Sequence, residues 1–149
     1  MLLLDVNLLV YAHRTELPQH PAVAEFVKAL LTDERAFGVP QIALSSFVRI
    51  VTQRAFHPPS PTSEALDFCA AMTSAPNCII VQPGERHWAI FDQLCRVTNA
   101  TGKLVPDAYL AAFAIDRDDE WVTADRDFGK FPGLTWRLLP ENRRRTNPR

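Results

Sequence analysis

Five short strand-like runs recur along the chain, four of them largely apolar, and the segments between them carry helical periodicity. The runs are Leu2-Leu3-Leu4, Ala36-Phe37-Gly38-Val39, Cys78-Ile79-Ile80-Val81, Trp121-Val122-Thr123 and Thr135-Trp136-Arg137-Leu138. Continuous apolar runs, rather than alternating ones, mark strands buried on both faces of a parallel sheet. The first reads as a central strand, the third as another buried strand and the last as an edge strand. Between them, Val23, Phe26, Val27, Leu30 and Leu31 fall at i, i+3, i+4, i+7 and i+8, one apolar helical face. Residues 6–14 read as a helix, as do residues 41–54 with Ile42, Phe47, Ile50 and Val51 inward. Three prolines make "FHPPSPT", residues 56–62, a loop. Ser60-Pro61 offers an N-cap and a first-turn proline for a helix ending near Ala75. Trp88, Phe91, Leu94 and Cys95 give the next helix its stripe, and Pro106 opens a last one running to about Arg117. Alternating strands and helices predict an α/β fold of three layers, α/β/α, with a central, mostly parallel sheet of about five strands.

At 149 residues the chain suits one domain, spanning 1–140, that buries roughly two-thirds of its unfolded surface. Residues 141–149 form a basic tail: "RRRTNPR" carries four arginines and no acid. That tail reads either as a solvated end or as a contact for a phosphate backbone or an acidic partner. The net charge of −1 supplies no global pull toward nucleic acid. No apolar run approaches membrane-spanning length, and the N-terminal leucines are too few for a signal peptide, so the expected location is cytoplasmic. Cys69, Cys78 and Cys95 lack zinc-ligand spacing and read as buried structural thiols. His13, His20, His57 and His87 are scattered, each read as surface or hydrogen-bonded. Asp116, Asp118, Asp119 and Glu120 read as a solvated turn.

Two of the apolar runs end on carboxylates. Asp5 follows the first, and "VTADRDF", residues 122–128, places Asp125 and Asp127 just past the fourth. In an open parallel sheet, ligands bind outside the carboxyl ends of the strands. If the two strands are central neighbours, these acids share one rim. Asp107, at the start of "DAYLAAFAI", has a simpler role available in the favourable dipole of a helix N-terminus. Ala108, Ala111, Ala112 and Ala114 make that helix thin, however, so that it can pack close and hold Asp107 near the same rim. Clustered carboxylates repel, and without a counter-charge at least one would keep its proton. A hard divalent cation, Mg2+ or Mn2+, resolves the repulsion with oxygen ligands alone. The absence of nearby His or Cys points away from zinc.

"LLLDVNLLVYA" at the N-terminus, "PDAYLAAFA" at 106–114 and "VTADRDFGKFPGL" at 122–134 together resemble the PIN domain, and within it the VapC-like toxins of bacterial toxin–antitoxin pairs. The resemblance runs from about residue 1 to 139. It implies a compact α/β/α fold, a Mg2+-dependent ribonuclease, a homodimer and a small antitoxin partner. Carried onto this chain, the family's acids fall on Asp5, Asp107, Asp125 and Asp127. Asp5, Asp107 and Asp125 are the implied metal ligands, with Asn7 and Thr123 as polar companions. Many members carry a glutamate where this chain has Ser46, three residues before Arg49, which puts a second metal in question. The implied reaction is in-line hydrolysis of an RNA phosphodiester. Arg14, Arg49, Arg54, Arg86, Lys103 and the arginine tail are the candidate RNA contacts, through stacking and basic groups on single strands.

Other classes fit less well. A haloacid-dehalogenase-like phosphatase wants Asp-x-Asp after its first strand, and this chain has "DVN". A receiver domain wants an aspartate ending a middle strand, where Gln82 and Pro83 stand instead. The reading from a different class is a catalytically degenerate fold that binds RNA or an antitoxin without cutting.

Overall fold

The computed structural model describes residues 1–140; the basic tail, 141–149, lies outside the described residues. Twelve elements follow one another: β1 (Leu2–Leu4), α1 (Val6–His13), α2 (His20–Thr32), β2 (Phe37–Pro40), α3 (Gln41–Val51), α4 (Thr62–Thr73), β3 (Cys78–Val81), α5 (His87–Thr98), α6 (Leu104–Arg117), β4 (Glu120–Thr123), a short 3-10 helix (Arg126–Lys130) and β5 (Trp136–Leu138). The sheet order is β3-β2-β1-β4-β5, and every neighbouring pair is parallel. The chain winds outward from β1 through β2 to β3, then crosses back to β4 on the other side of β1. That reversal leaves a crevice at the carboxyl ends of β1 and β4, the position where such sheets bind ligands.

The core explains the order. Leu3, Leu4, Phe37, Val39, Trp121 and Val122 are fully buried, so the three inner strands are covered on both faces. On one side α1 packs against α2 and α3, and α3 against α4; α5 and α6 pack on each other. One-handed crossovers place these two groups on opposite faces of the sheet, giving the three layers. The alanine-rich α6 behaves as its composition implies: Ala108, Ala111, Ala112 and Ala114 are all buried.

Several expectations are corrected. The third apolar run is an edge strand, with Ile79 and Ile80 42% and 44% exposed, because no strand among the described residues pairs beyond it. Ile42 points outward from α3, and Ala43, Phe47 and Val51 form the buried face instead. On α5 Phe91, Leu94 and Cys95 face the core as expected, but Trp88 is exposed and His87 takes its place, buried with Nε2 2.9 Å from the Tyr109 carbonyl. The last large helix begins at Leu104, so Pro106 sits within its first turn rather than opening it. Ser60 does not cap α4; its hydroxyl faces His13 and Arg14 instead. The three cysteines are free and only partly buried. The acidic turn is only partly solvated: Asp119 binds the N-terminal ammonium and Arg117, Asp116 pairs with Arg86, and Glu120 pairs with Arg137. No helix among the described residues is long and apolar enough to cross a membrane.

Gly38, in β2, lies against side chains of both neighbouring strands. A methyl group there would stand 2.5 Å from Leu3 Cδ2 and 2.9 Å from Val81 Cγ2. Gly38→Ala is expected to destabilise the protein by about 1–3 kcal/mol through overpacking, measured by urea unfolding. An unchanged midpoint would show that these side chains yield freely.

Candidate active site

The crevice is built from strand ends. β1 stops at Leu4 because Asp5 turns the chain into α1. Its Oδ1 accepts from the Val6 N–H at 2.6 Å, capping the helix, while its own N–H donates to Val122 O at 3.0 Å and keeps β1 against β4. Asp5 Oδ2 accepts from Thr123 Oγ1 at 2.6 Å and from Asn7 Nδ2 at 3.0 Å. Thr123 Oγ1 in turn accepts from the Asp125 N–H at 3.0 Å, and Asn7 Oδ1 from the Ala124 N–H at 3.2 Å. Asn7 and Thr123 thus tie the two strand ends together and fix the Asp5 carboxylate. Asp125 caps the 3-10 helix, its Oδ1 accepting from the Asp127 N–H at 2.9 Å. Asp107 lies in the first turn of α6, buried at 9% exposure.

Asp5, Asp107 and Asp125 line one cavity of about 650 Å3. Asn7, Ser46, Arg49 and Lys103 line it too, and Tyr11, Ile50 and Phe56 contribute an apolar wall. Asp127 is different. It stands outside the cavity lining, half-exposed, with Lys130 at 3.3 Å. A depression of about 540 Å3 at the opposite end of the strands, lined by Met1, Arg35 and Arg137, gathers none of these acids.

Electrostatics separates the three carboxylates. Burial pushes Asp5 up to about 7, against the Thr123 and Val6 hydrogen bonds; the charges of Asp107 and Asp125 add less. Desolvation rather than mutual repulsion is the main cause of that rise. Burial also raises Asp107, opposed by Lys103. For Asp125 burial is outweighed by Lys103, the Asp127 N–H and Lys130, and its carboxyl is held low. Lys103 Nζ donates to Asp125 Oδ2 at 2.5 Å and to Asp107 Oδ2 at 3.2 Å. It is a counter-charge inside the acid cluster rather than a free RNA contact. Its spacing from Asp107, i to i+4, was the available signal; the pairing with Asp125 had none.

Arg14 is also reassigned. It is 8% exposed and bonds Ser60 Oγ, Pro58 O and Glu16, with its guanidinium 4.6 Å from the Phe56 ring centre. Its role is to pin the proline loop to α1. Arg49 remains available: it is exposed on the cavity rim, and no partner holds it among the described residues. Ser46 lines the cavity as its position implied. The donor set is all oxygen, and two carboxylates already converge on one cation, which suits a hard divalent ion in charge and chemistry. Among the described residues no three acidic, His or Cys side chains converge as ready-made ligands, so such an ion requires side-chain re-aiming.

These features define a parallel α/β/α protein with a carboxylate site at its topological switch point. The PIN domain family model matches residues 2–134. The chain is 40% identical over 138 residues to a VapC ribonuclease of Mycobacterium bovis, covering 92% of this chain and 94% of that protein. It is 41% identical over 135 residues to ribonuclease VapC31 of Mycobacterium tuberculosis, covering 90% and 95%. Among solved structures, VapBC2 from Rickettsia felis, bound to a promoter DNA fragment, superposes with a TM-score of 0.69 at 15% identity, covering 92% of this chain and 97% of that one. That last likeness is one of fold. The chain belongs to the PIN-domain family, on the branch of the VapC ribonucleases.

The Asp5 assignment carries a sign. Its folded value of about 7 lies above its ordinary 3.8, so its contribution to stability is complete below about pH 4 and is lost as pH rises through 7. For the metal-free protein that loss is on the order of 4 kcal/mol. His13 and His87, both held low by burial, act in the opposite direction over part of this range. Urea unfolding in EDTA should therefore compare wild type with Asp5→Asn between pH 5 and 8. Wild type is expected to lose stability relative to the variant as pH rises; parallel curves would refute the assignment.

Proposed function

We propose that this chain is a metal-dependent endoribonuclease that hydrolyses RNA phosphodiester bonds and serves as the toxin of a toxin–antitoxin pair. The observation that carries the reading is the gathering of Asp5, Asp107 and Asp125, from three separate elements, around one cavity. Similarity to VapC ribonucleases over nine-tenths of the chain supports it.

Asp5, Asp107 and Asp125 would hold Mg2+ or Mn2+. Bound there, the ion supplies charge neutralisation at the phosphoryl oxygens and a lowered pKa for the attacking water. The protein's own groups do the rest. Asn7 and Thr123 hold Asp5 in one orientation, and the N–H of Asp127 does the same for Asp125. Asp125, and Asp127 once its side chain turns inward from Lys130, would orient the attacking water. Arg49 meets a backbone phosphate at the cavity mouth, and the Tyr11–Phe56 wall receives the neighbouring base by stacking. A second copy and a small antitoxin are the proposed protein partners; exposed Trp88, Val97, Ile79 and Ile80 supply apolar surface for such contacts.

The degenerate binding module is the competing reading, favoured by Ser46 standing in the cavity wall where a carboxylate would add a ligand. The deciding experiment incubates the purified chain, free of antitoxin, with a structured RNA pool in Mg2+, Mn2+ or EDTA. Cleavage is expected with either metal and none in EDTA. Asp5→Asn is expected to abolish it, and Asn7→Ala, which loosens Asp5, to cost about 10–100-fold. RNA bound but uncut in both metals would favour the binding module. Arg49→Ala is expected to weaken RNA binding across sequences and to lower its salt-dependence slope by about 0.7, read from binding isotherms at several NaCl concentrations.

A further inference from the structure

Lys103 occupies a place that its helix does not explain. It stands at the N-cap of α6, where the helix dipole disfavours a cation. Its i,i+4 pairing with Asp107 runs basic before acidic, the weaker orientation. Even so, the ammonium reaches both Asp107 and Asp125, and Asp125 lies 22 residues further on in a different element. An ordinary intrahelical pair accounts for the first contact and not the second. The two carboxylates converge on one point, and the lysine fills that point with positive charge. Its side chain is 69% exposed, so no packing locks it there and rotation into solvent releases it. Asp5 takes its hydrogen bonds from Val6, Asn7 and Thr123 instead.

We propose that Lys103 is a resident counter-ion that competes with the divalent metal for Asp107 and Asp125. The inference rests on the metal-dependent reading above. In the metal-free protein the ammonium cancels the repulsion between the two carboxylates. Metal binding at the same oxygens requires it to withdraw, because like charges at such separation repel strongly in a partly dry cavity. Lys103 therefore raises the metal concentration at which the site becomes armed. Once displaced, its ammonium stays beside the cavity, where it adds positive potential for a phosphate.

The test is direct metal binding, without RNA. Mn2+ is titrated into the full chain, free of antitoxin, and free ion is followed by electron paramagnetic resonance for wild type, Lys103→Met and Lys103→Arg. Circular dichroism confirms folding, and Lys103→Gln replaces the methionine variant if that one does not fold. Releasing two partly exposed ion pairs is expected to tighten Mn2+ binding roughly 3–10-fold in Lys103→Met. Lys103→Arg, which keeps the charge and offers the carboxylates a guanidinium fork, is expected to bind Mn2+ no more tightly than wild type. Equal or weaker binding by Lys103→Met, with wild type still binding Mn2+, would overturn the competition alone. No Mn2+ binding by any of the proteins would overturn the metal reading and the competition with it.

Discussion

The parallel pairing of β1 with β4 is the constraint on which the rest of the molecule depends. It brings residues more than a hundred positions apart into hydrogen-bonding distance, Asp5 with Thr123 and Asn7 with Ala124. A buried carboxylate is costly unless its lone pairs find donors. Asp5 finds three, from Val6, Asn7 and Thr123. The same donors that make its burial tolerable also fix its direction. Site geometry and sheet register are thus one arrangement: a one-residue slip of β4 against β1 would separate Thr123 from Asp5 and turn its hydroxyl to the other face.

Packing extends that arrangement to α6. Four buried alanines let the helix lie close to its neighbours, and its first turn delivers Asp107 to the cavity. Asp125 arrives through the 3-10 helix that it caps. The three acids therefore reach the cavity from separate directions and with separate electrostatic settings. Asp5 is dry and raised, Asp107 is raised but paired, and Asp125 is held low by cations. A site built this way is charged unevenly before any ligand arrives, with Lys103 as its internal balance.

Much of this was legible from residue order. Apolar runs ending on Asp5 and on Thr123, with acids just beyond, pointed to a shared rim, and the alanines of α6 pointed to close packing. Other features were not legible, for identifiable reasons. Ile79 and Ile80 look buried in sequence because β-branched runs do not record how many neighbours a strand has. Trp88 and Ile42 look inward because periodicity fixes a helical face only to within one residue either way. Ser60 looks like a cap, yet its hydroxyl serves Arg14 and His13, partners 46 and 47 residues away. Arg14 and Lys103 look like free cations because a sequence does not show which acids or carbonyls will surround a long side chain.

Local chemistry explains the division. By itself the sequence determined the elements, their alternation, the α/β/α class and the family, since apolar periodicity, turn residues and ordered motifs are properties of neighbouring residues. It also named the acids, because each stands at the end of a recognisable element. Only the tertiary structure decided which acids share a cavity, why burial raises Asp5 and Asp107 while Asp125 is held low, that Asp127 stays outside the cavity lining, and that Lys103 sits between Asp107 and Asp125. Those outcomes depend on desolvation and on charge pairs a few ångströms long between segments distant in the chain, and such distances exist only once β1 and β4 lie side by side.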